Sequence, residues 1–176
     1  MAQPSDNELV ELCLEGDNTA FNMLVERHQL TMYRTAFSIV KSTDLAKDVT
    51  QNGFIKAWEK LHSFNPKYKF YSWLYRIIVN EALNKVRNTK NFERLSVNKS
   101  DEKTPYQQII KKEENRKLYR AIESLPTEFS TVIYLRHFEE LSYEEIAEVL
   151  EIDKKKVKSR LYGARMKLRA ILFIEQ

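Results

Sequence analysis

Between residues 139 and 169 the chain reverses its charge over a continuous apolar skeleton. Glu139, Glu140, Glu144, Glu145, Glu148, Glu151 and Asp153 come first, with no basic residue among them. Lys154, Lys155, Lys156, Lys158, Arg160, Arg165, Lys167 and Arg169 follow, with no acidic residue among them. Apolar residues recur at helical spacing beneath both halves, which predicts two helices of opposite charge joined by a tight turn. The layout is that of a helix-turn-helix whose second helix lies against DNA.

The rest of the chain supports helix throughout. Among 176 residues there are three glycines and four prolines, Leu, Glu, Lys and Ala abound, and no stretch alternates Val, Ile and Thr. An all-α protein is expected. The formal net charge is only +4, so any nucleic-acid surface must be local. One cysteine, Cys13, excludes an internal disulfide, and His28, His62 and His137 lie too far apart in the sequence to suggest a zinc site. Neither a metal nor another cofactor is expected. The start MAQPSDNELVELC lacks the pattern of a signal peptide, and no apolar stretch has membrane-spanning length. A cytoplasmic protein follows as the expectation.

Apolar periodicity is strong from about residue 6 to 88 and from about 112 to 173, and it fails between them in the polar run NFERLSVNKSDEKTPYQQ. Two small domains are expected, 1–90 and 112–176, with a linker over 91–111. Ser5 and Glu8 have capping-box spacing at the first helix, which Gly16-Asp17-Asn18 ends. A second helix is expected over about 19–41, with Phe21, Leu24, Val25, Tyr33, Phe37 and Val40 as its apolar residues. A third, over about 44–61, places Ala46, Val49, Thr50, Gly53, Phe54, Ala57 and Leu61 on one face. Asp48, Gln51, Asn52, Ile55 and Glu59 fall opposite. That outer face is either ordinary solvated surface or a docking surface marked by the apolar Ile55.

A fourth helix, over about 71–88, buries Leu74, Ile78, Ala82, Leu83 and Val86 on the same wheel. Its other side presents Trp73, Arg76, Ile77, Asn80, Asn84 and Arg87. Asparagines hydrogen-bond base edges, arginines pair with phosphates, and tryptophan stacks on an unpaired base. Before it, aromatics alternate with lysines in His62-Ser63-Phe64-Asn65-Pro66-Lys67-Tyr68-Lys69-Phe70-Tyr71. Single-stranded nucleic acid is held by such a combination of stacking faces and ammonium groups. The competing reading makes Phe64, Phe70 and Tyr71 core plugs beneath a loop.

In the helix-turn-helix, a helix over about 127–138 supplies Phe129, Val132, Ile133 and Leu135. Ser142 and Glu145 form a second capping box, and the helix it starts buries Ile146, Ala147 and Leu150. Ile152 fills the turn, and Asp153 suits the N-cap of the last helix. Val157, Leu161, Ala164 and Leu168 form that helix's inward stripe. Lys155, Lys156, Ser159, Tyr162 and Gly163 then face outward, flanked by Lys158 and Arg160. About five or six phosphate contacts would give a salt slope near −5 and, without a partner, only weak non-specific binding.

Together these segments resemble the extracytoplasmic-function (ECF) sigma factors, bacterial initiation factors that direct RNA polymerase to promoters. The likeness rests on GDNTAFNML (16–24), LAKDVTQNGFIKAW (45–58), FYSWLYRIIVNEALNKVR (70–87), and LPTEF, LSYEEIAEVLEI and VKSRLYGARMKLR within 125–169. It spans nearly the whole chain in the family's order. It implies that 1–90 is a region 2 domain whose third helix docks on core RNA polymerase through Asp48, Gln51, Asn52 and Ile55. The following loop and fourth helix would melt and read the minus-10 element through Phe64, Tyr68, Lys69, Trp73, Arg76, Asn80, Asn84 and Arg87. Residues 112–176 would be region 4, meeting the minus-35 element through Lys155, Lys156, Lys158, Ser159, Arg160 and Tyr162. Core RNA polymerase and promoter DNA are the implied partners, together with an anti-sigma factor, often membrane-anchored in the family. No bond chemistry is implied for this chain.

The sequence departs from the family at several positions. Asn52 stands where the family usually has Glu, and Gly163 where a basic residue is frequent. Glu151 replaces the usual turn glycine, so the backbone there is expected to stay out of the left-handed region. A free-standing helix-turn-helix regulator that binds its operator without polymerase is the alternative. The small net charge and the aromatic, lysine-bearing loop speak against it.

Overall fold

A computed structural model describes residues 3–93 and 113–174; 94–112, most of the expected linker, lie outside that range. The described residues are helical, with no strand among them. Helix α1 (Asp6–Leu14) starts at the expected capping box: the Glu8 N–H donates to Ser5 Oγ at 3.3 Å, and the Ser5 N–H donates to Glu8 at 2.6 Å. Helix α2 (Asn18–Val40) is capped by Asp17, whose carboxylate accepts the Thr19 N–H at 2.8 Å. It ends at Lys41, left-handed with φ 57°. Ser42 caps α3 (Thr43–Lys60), a 3-10 turn follows over Leu61–Ser63, and α4 spans Phe70–Glu93. After the gap come α5 (Glu113–Ser124), α6 (Thr127–His137), α7 (Tyr143–Leu150) and α8 (Lys154–Ile174).

Helices α2, α3 and α4 pack on one another, and α1 lies across α2. The expected inner face of α3 is buried in full, from Ala46 through Val49, Thr50, Gly53, Phe54 and Ala57 to Leu61. Gly53 sits where α3 meets α4: a Cβ there would lie 2.2 Å from Ile78 Cδ1. On α4 the expected stripe is displaced. Leu74, Ile78 and Ala82 are buried, but Tyr75 and Val79 join them, whereas Leu83 and Val86 are only half-buried. Helix α4 also continues to Glu93, so 91–93 belong to the helix and not to the linker.

In the second half, α6 packs on α8, with α7 against both. Val157, Leu161 and Ala164 are buried and Leu168 packs against them, as their spacing predicts. Val149, not Ala147 or Leu150, is the second buried residue of α7 after Ile146. The two halves are in contact: α4 lies against α7, and α2 against α6. One continuous cluster of buried side chains runs from Leu9 to Ala164. Fully enclosed residues such as Phe37, Phe70, Leu74, Leu135 and Leu161 are each worth about 1.5–3 kcal/mol of transfer free energy.

Candidate nucleic-acid interface

The loop before α4 is an aromatic lid over the core. Phe64 is 7% exposed and Phe70 1%; their rings meet edge to face at 5.7 Å, and Trp73 lies 5.5 Å from Phe64 and 5.7 Å from Phe70. Phe64 is therefore a core plug, and the expectation that it offers a stacking face is corrected. It forms the floor of a pocket of about 470 Å³ whose walls include Ser63, Asn65, Tyr68, Ser72, Trp73 and Arg76. Asn65 shapes the rim, its side-chain oxygen accepting the Lys67 N–H and its carbonyl the Tyr68 N–H, both at 3.0 Å. Asn7 of α1 donates to the Pro66 carbonyl at 3.2 Å and ties the loop down. Tyr68 stands out at 60% exposure, with Lys69 exposed beside it.

The outer face of α4 continues this surface. Trp73, Ile77 and Asn80 are half-buried, while Arg76, Asn84 and Arg87 are exposed. Trp73, Arg76, Asn80 and Asn84 line a polar cleft of about 540 Å³ with Lys56 and Lys60 of α3. Those two lysines were not singled out from the sequence, because the signal there was α3's apolar face. Lys56 is also held by Glu81 at 2.5 Å.

On α8, Lys155, Lys156, Lys158, Ser159 and Tyr162 are exposed, Tyr162 at 68%. Arg160 is different. It leans back on α6, 3.3 Å from Glu128, with its Nε buried and unpartnered within the protein. Gly163 also faces α6 rather than outward: a Cβ there would lie 2.9 Å from the Phe129 ring. The glycine accommodates that ring, so it does not mark a deleted outward contact.

Asp48, Gln51, Asn52 and Ile55 are all exposed on α3, and only two of them line the groove beside it. Gln51 and Ile55 border an apolar groove of about 730 Å³ between α2 and α3, walled by Phe21, Val25, Leu30, Tyr33, Phe54 and Trp58. Leu30, Ile55 and Trp58 are 56%, 50% and 41% exposed. Asp48 lies outside the groove, paired with Lys85 of α4 at 2.6 Å. The α2 side of the groove was missed because Phe21, Val25 and Tyr33 were read only as apolar residues of that helix, with no face assigned to them.

The acidic half of the helix-turn-helix carries two left-handed residues, Glu140 (φ 54°) and Glu151 (φ 53°). Glu151 thus occupies the glycine-type conformation that its side chain was expected to exclude. It caps α7, its N–H donating to carbonyls of the last turn. The Ser142–Glu145 capping box forms, with Glu145 N–H to Ser142 Oγ at 3.1 Å and Ser142 N–H to Glu145 at 2.9 Å. Glu145 also accepts the Tyr71 hydroxyl at 2.8 Å and Lys69 at 3.3 Å. The Ser142 N–H, then the Tyr71 and Ser142 hydroxyls and the Lys69 ammonium, hold its carboxyl down to about 2. Nearby, burial and the Glu139 carboxylate push the Tyr75 phenol upward, so it stays protonated and donates to Glu139.

The halves defined by this geometry coincide with known families. Residues 24–92 match Sigma-70 region 2, and 115–168 match Sigma-70, region 4. The chain is 35% identical to the ECF RNA polymerase sigma-E factor of Haemophilus influenzae, over 93% of each chain. It is 37% identical to the Escherichia coli K12 protein of the same name, over 93% of this chain and 92% of that one. Among solved structures it is similar to CnrH in complex with the cytosolic domain of CnrY: TM-score 0.73, 27% identity, 98% of this chain and all of that one. The sigma factor RpoE of Bartonella quintana, solved with the anti-sigma factor NepR, shares the fold at TM-score 0.72 and 22% identity, over 89% of this chain and 98% of that one. With its all-helical fold in two sigma regions, this chain belongs to the ECF sigma factors, transcription initiation factors and not enzymes.

Proposed function

We propose that this sigma factor divides promoter recognition between two surfaces. The loop around Tyr68 and Lys69 and the outer face of α4, through Trp73, Arg76, Asn80, Asn84 and Arg87, engage the opened minus-10 element. Lys155, Lys156, Lys158, Ser159 and Tyr162 of α8 engage the minus-35 duplex, where early turns of a recognition helix meet base edges and flanking cations meet phosphates. Arg160 contributes by fixing α8 against Glu128. The observation that carries the reading is the pocket floored by Phe64, bounded by Trp73 and Tyr68 and continuous with an asparagine-lined cleft. Stacking surfaces beside amide hydrogen-bonding groups suit an unpaired base better than a duplex.

Core RNA polymerase docks on α3, with the groove between α2 and α3 supplying apolar area and Gln51 and Ile55 at its border; Asp48 and Asn52 add polar contacts alongside. An anti-sigma factor is a further partner, a reading supported by the NepR complex of a protein with this fold. No helix among the described residues is long and apolar enough to cross a membrane; the cytoplasm is the proposed site of action, and a membrane link would come through the anti-sigma factor. The deciding experiment adds the purified chain to core polymerase and maps transcript starts on genomic fragments. Initiation at a defined promoter set is expected; tight operator binding by the chain alone, with no start above core polymerase, would favour the free-standing regulator.

A further inference from the structure

Helix α1 lies ahead of the residues that match region 2, which begin at 24, and supplies no side chain to the surface assigned above to the opened minus-10 strand. Its seat is closely fixed all the same. Leu9, Val10 and Cys13 are buried, and the Asp6 carboxylate is shared by two residues of α2, Arg27 at 2.5 Å and His28 Nε2 at 2.8 Å. Arg27 also donates to the Pro4 carbonyl at 2.8 Å. The His28 ring lies 5.9 Å from Phe70, the residue that opens α4 and closes the loop before it. Successive side chains of a helix point about 100° apart, so while Asp6 is held on α2 the next residue, Asn7, is turned toward a different neighbour. That neighbour is the loop, where the Asn7 amide donates to the Pro66 carbonyl at 3.2 Å.

We propose that α1 is a strut for the minus-10 loop and that Asn7 is a positioning residue, holding Tyr68 and the pocket floored by Phe64 in a preformed arrangement before the single strand arrives. The inference rests on the assignment of that loop to the opened minus-10 strand. Phe64 and Phe70 anchor the two ends of the loop in the core, whereas Asn65, Pro66, Lys67 and Tyr68 between them are exposed. Asn65 accepts the N–H groups of Lys67 and Tyr68, which tightens the turn but does not aim it. Proline has no N–H, so its carbonyl is the backbone group by which Pro66 can be held. Fixing that carbonyl sets the peptide plane leading into Lys67 and Tyr68, and the Tyr68 side chain is one wall of the pocket. A loop ordered in advance spares the strand the cost of ordering it, and the apparent affinity rises with the fraction of the chain already in the competent form.

The test compares Asn7→Leu, which keeps the shape of the side chain and removes its amide, with Asn7→Gln, which keeps an amide donor on a longer stem. In the full chain, hydrogen exchange at the Lys67 and Tyr68 amides is expected to quicken about fivefold in Asn7→Leu, the scale of one net hydrogen bond, while exchange in the cores of α2, α3 and α4 stays at the wild-type level. In holoenzyme, binding of a labelled single strand carrying the minus-10 sequence of a mapped promoter is expected to weaken about fivefold. Core polymerase binding and the thermal midpoint are expected to be unchanged, and Asn7→Gln is expected to recover most of the single-strand affinity. Unchanged exchange at Lys67 and Tyr68 overturns the strut. A fall in core binding that matches the loss of single-strand affinity shows a general defect of the fold and overturns the positioning role. Faster exchange with unchanged single-strand affinity overturns that role as well when Tyr68→Ala still weakens the strand. If Tyr68→Ala is equally silent, the minus-10 assignment of the loop is what fails, and the positioning role falls with it.

Discussion

Two acidic residues hold a conformation that usually belongs to glycine. Glu140 and Glu151 are left-handed, at a cost of about 1–2 kcal/mol for a residue with a Cβ, partly offset by glycine's greater freedom in the unfolded chain. Glu140→Gly is expected to raise stability by about 0.5–1 kcal/mol in chemical denaturation. Glu151→Gly is expected to gain less, because it also loses the half-exposed pair with Arg76, a contact of the kind worth about 0–1 kcal/mol. Gly163 presents the opposite case. Its missing side chain makes room for Phe129, so Gly163→Arg, which restores the residue type frequent in the family, is expected to destabilise region 4 by about 1–3 kcal/mol through overpacking and to leave minus-35 affinity no higher. A gain in duplex affinity at unchanged stability would show that the side chain reaches outward. From sequence the glycine looked like a lost contact, because a helical wheel gives direction around one axis and cannot show what a neighbouring helix inserts.

Individual helices were legible in proportion to how one-sided their burial is. Helix α3 is buried on one face only, and its inner and outer residues were readable to the last position. Helix α4 is enclosed on more than one side, since α7 covers part of its outer surface, and so Tyr75 and Val79 escaped a single-stripe reading. Phe64 and Phe70 were ambiguous for a related reason: alternation with lysine is the same whether an aromatic ring stacks on a base or plugs a core. The α3 and α4 assignments separate by function. Asn80→Ala is expected to reduce promoter opening about tenfold, the scale of one lost base or stacking contact, while core binding measured by fluorescence anisotropy is unchanged. Charge reversal at Asp48 is expected to weaken core binding and leave opening by the assembled holoenzyme intact. On α8, Lys158→Ala is expected to weaken binding to minus-35 duplexes of different sequence alike and to reduce the salt slope by about 1, whereas Arg160→Ala should act through the stability of region 4.

At the scale of the molecule, the packing of α4 on α7 was invisible in the sequence. The strong local patterns assigned each half its own core, and the carboxylates of the helix-turn-helix carry no sign of their partners some seventy residues earlier. Glu145 links the two levels, since its carboxylate closes the α7 capping box and also receives Tyr71 and Lys69 from the other half. Its carboxyl is lowered from the ordinary 4.5 to about 2, so protonation is harder in the folded chain than in the unfolded one. The stabilisation linked to that shift is therefore complete above about pH 5 and disappears as pH falls from about 4.5 through 2. Because the side chain is mostly buried but not fully, a contribution of about 2 kcal/mol is a reasonable upper scale after solvent screening. Glu145→Gln is expected to lower the thermal midpoint at pH 7, and the gap between variant and wild type should close as acid is added, with most of the closure below pH 4. The neutral amide retains the size of the side chain and much of the capping geometry, so a gap that persisted unchanged at pH 2.5 would trace to the cap's shape and not to the charge that joins the halves.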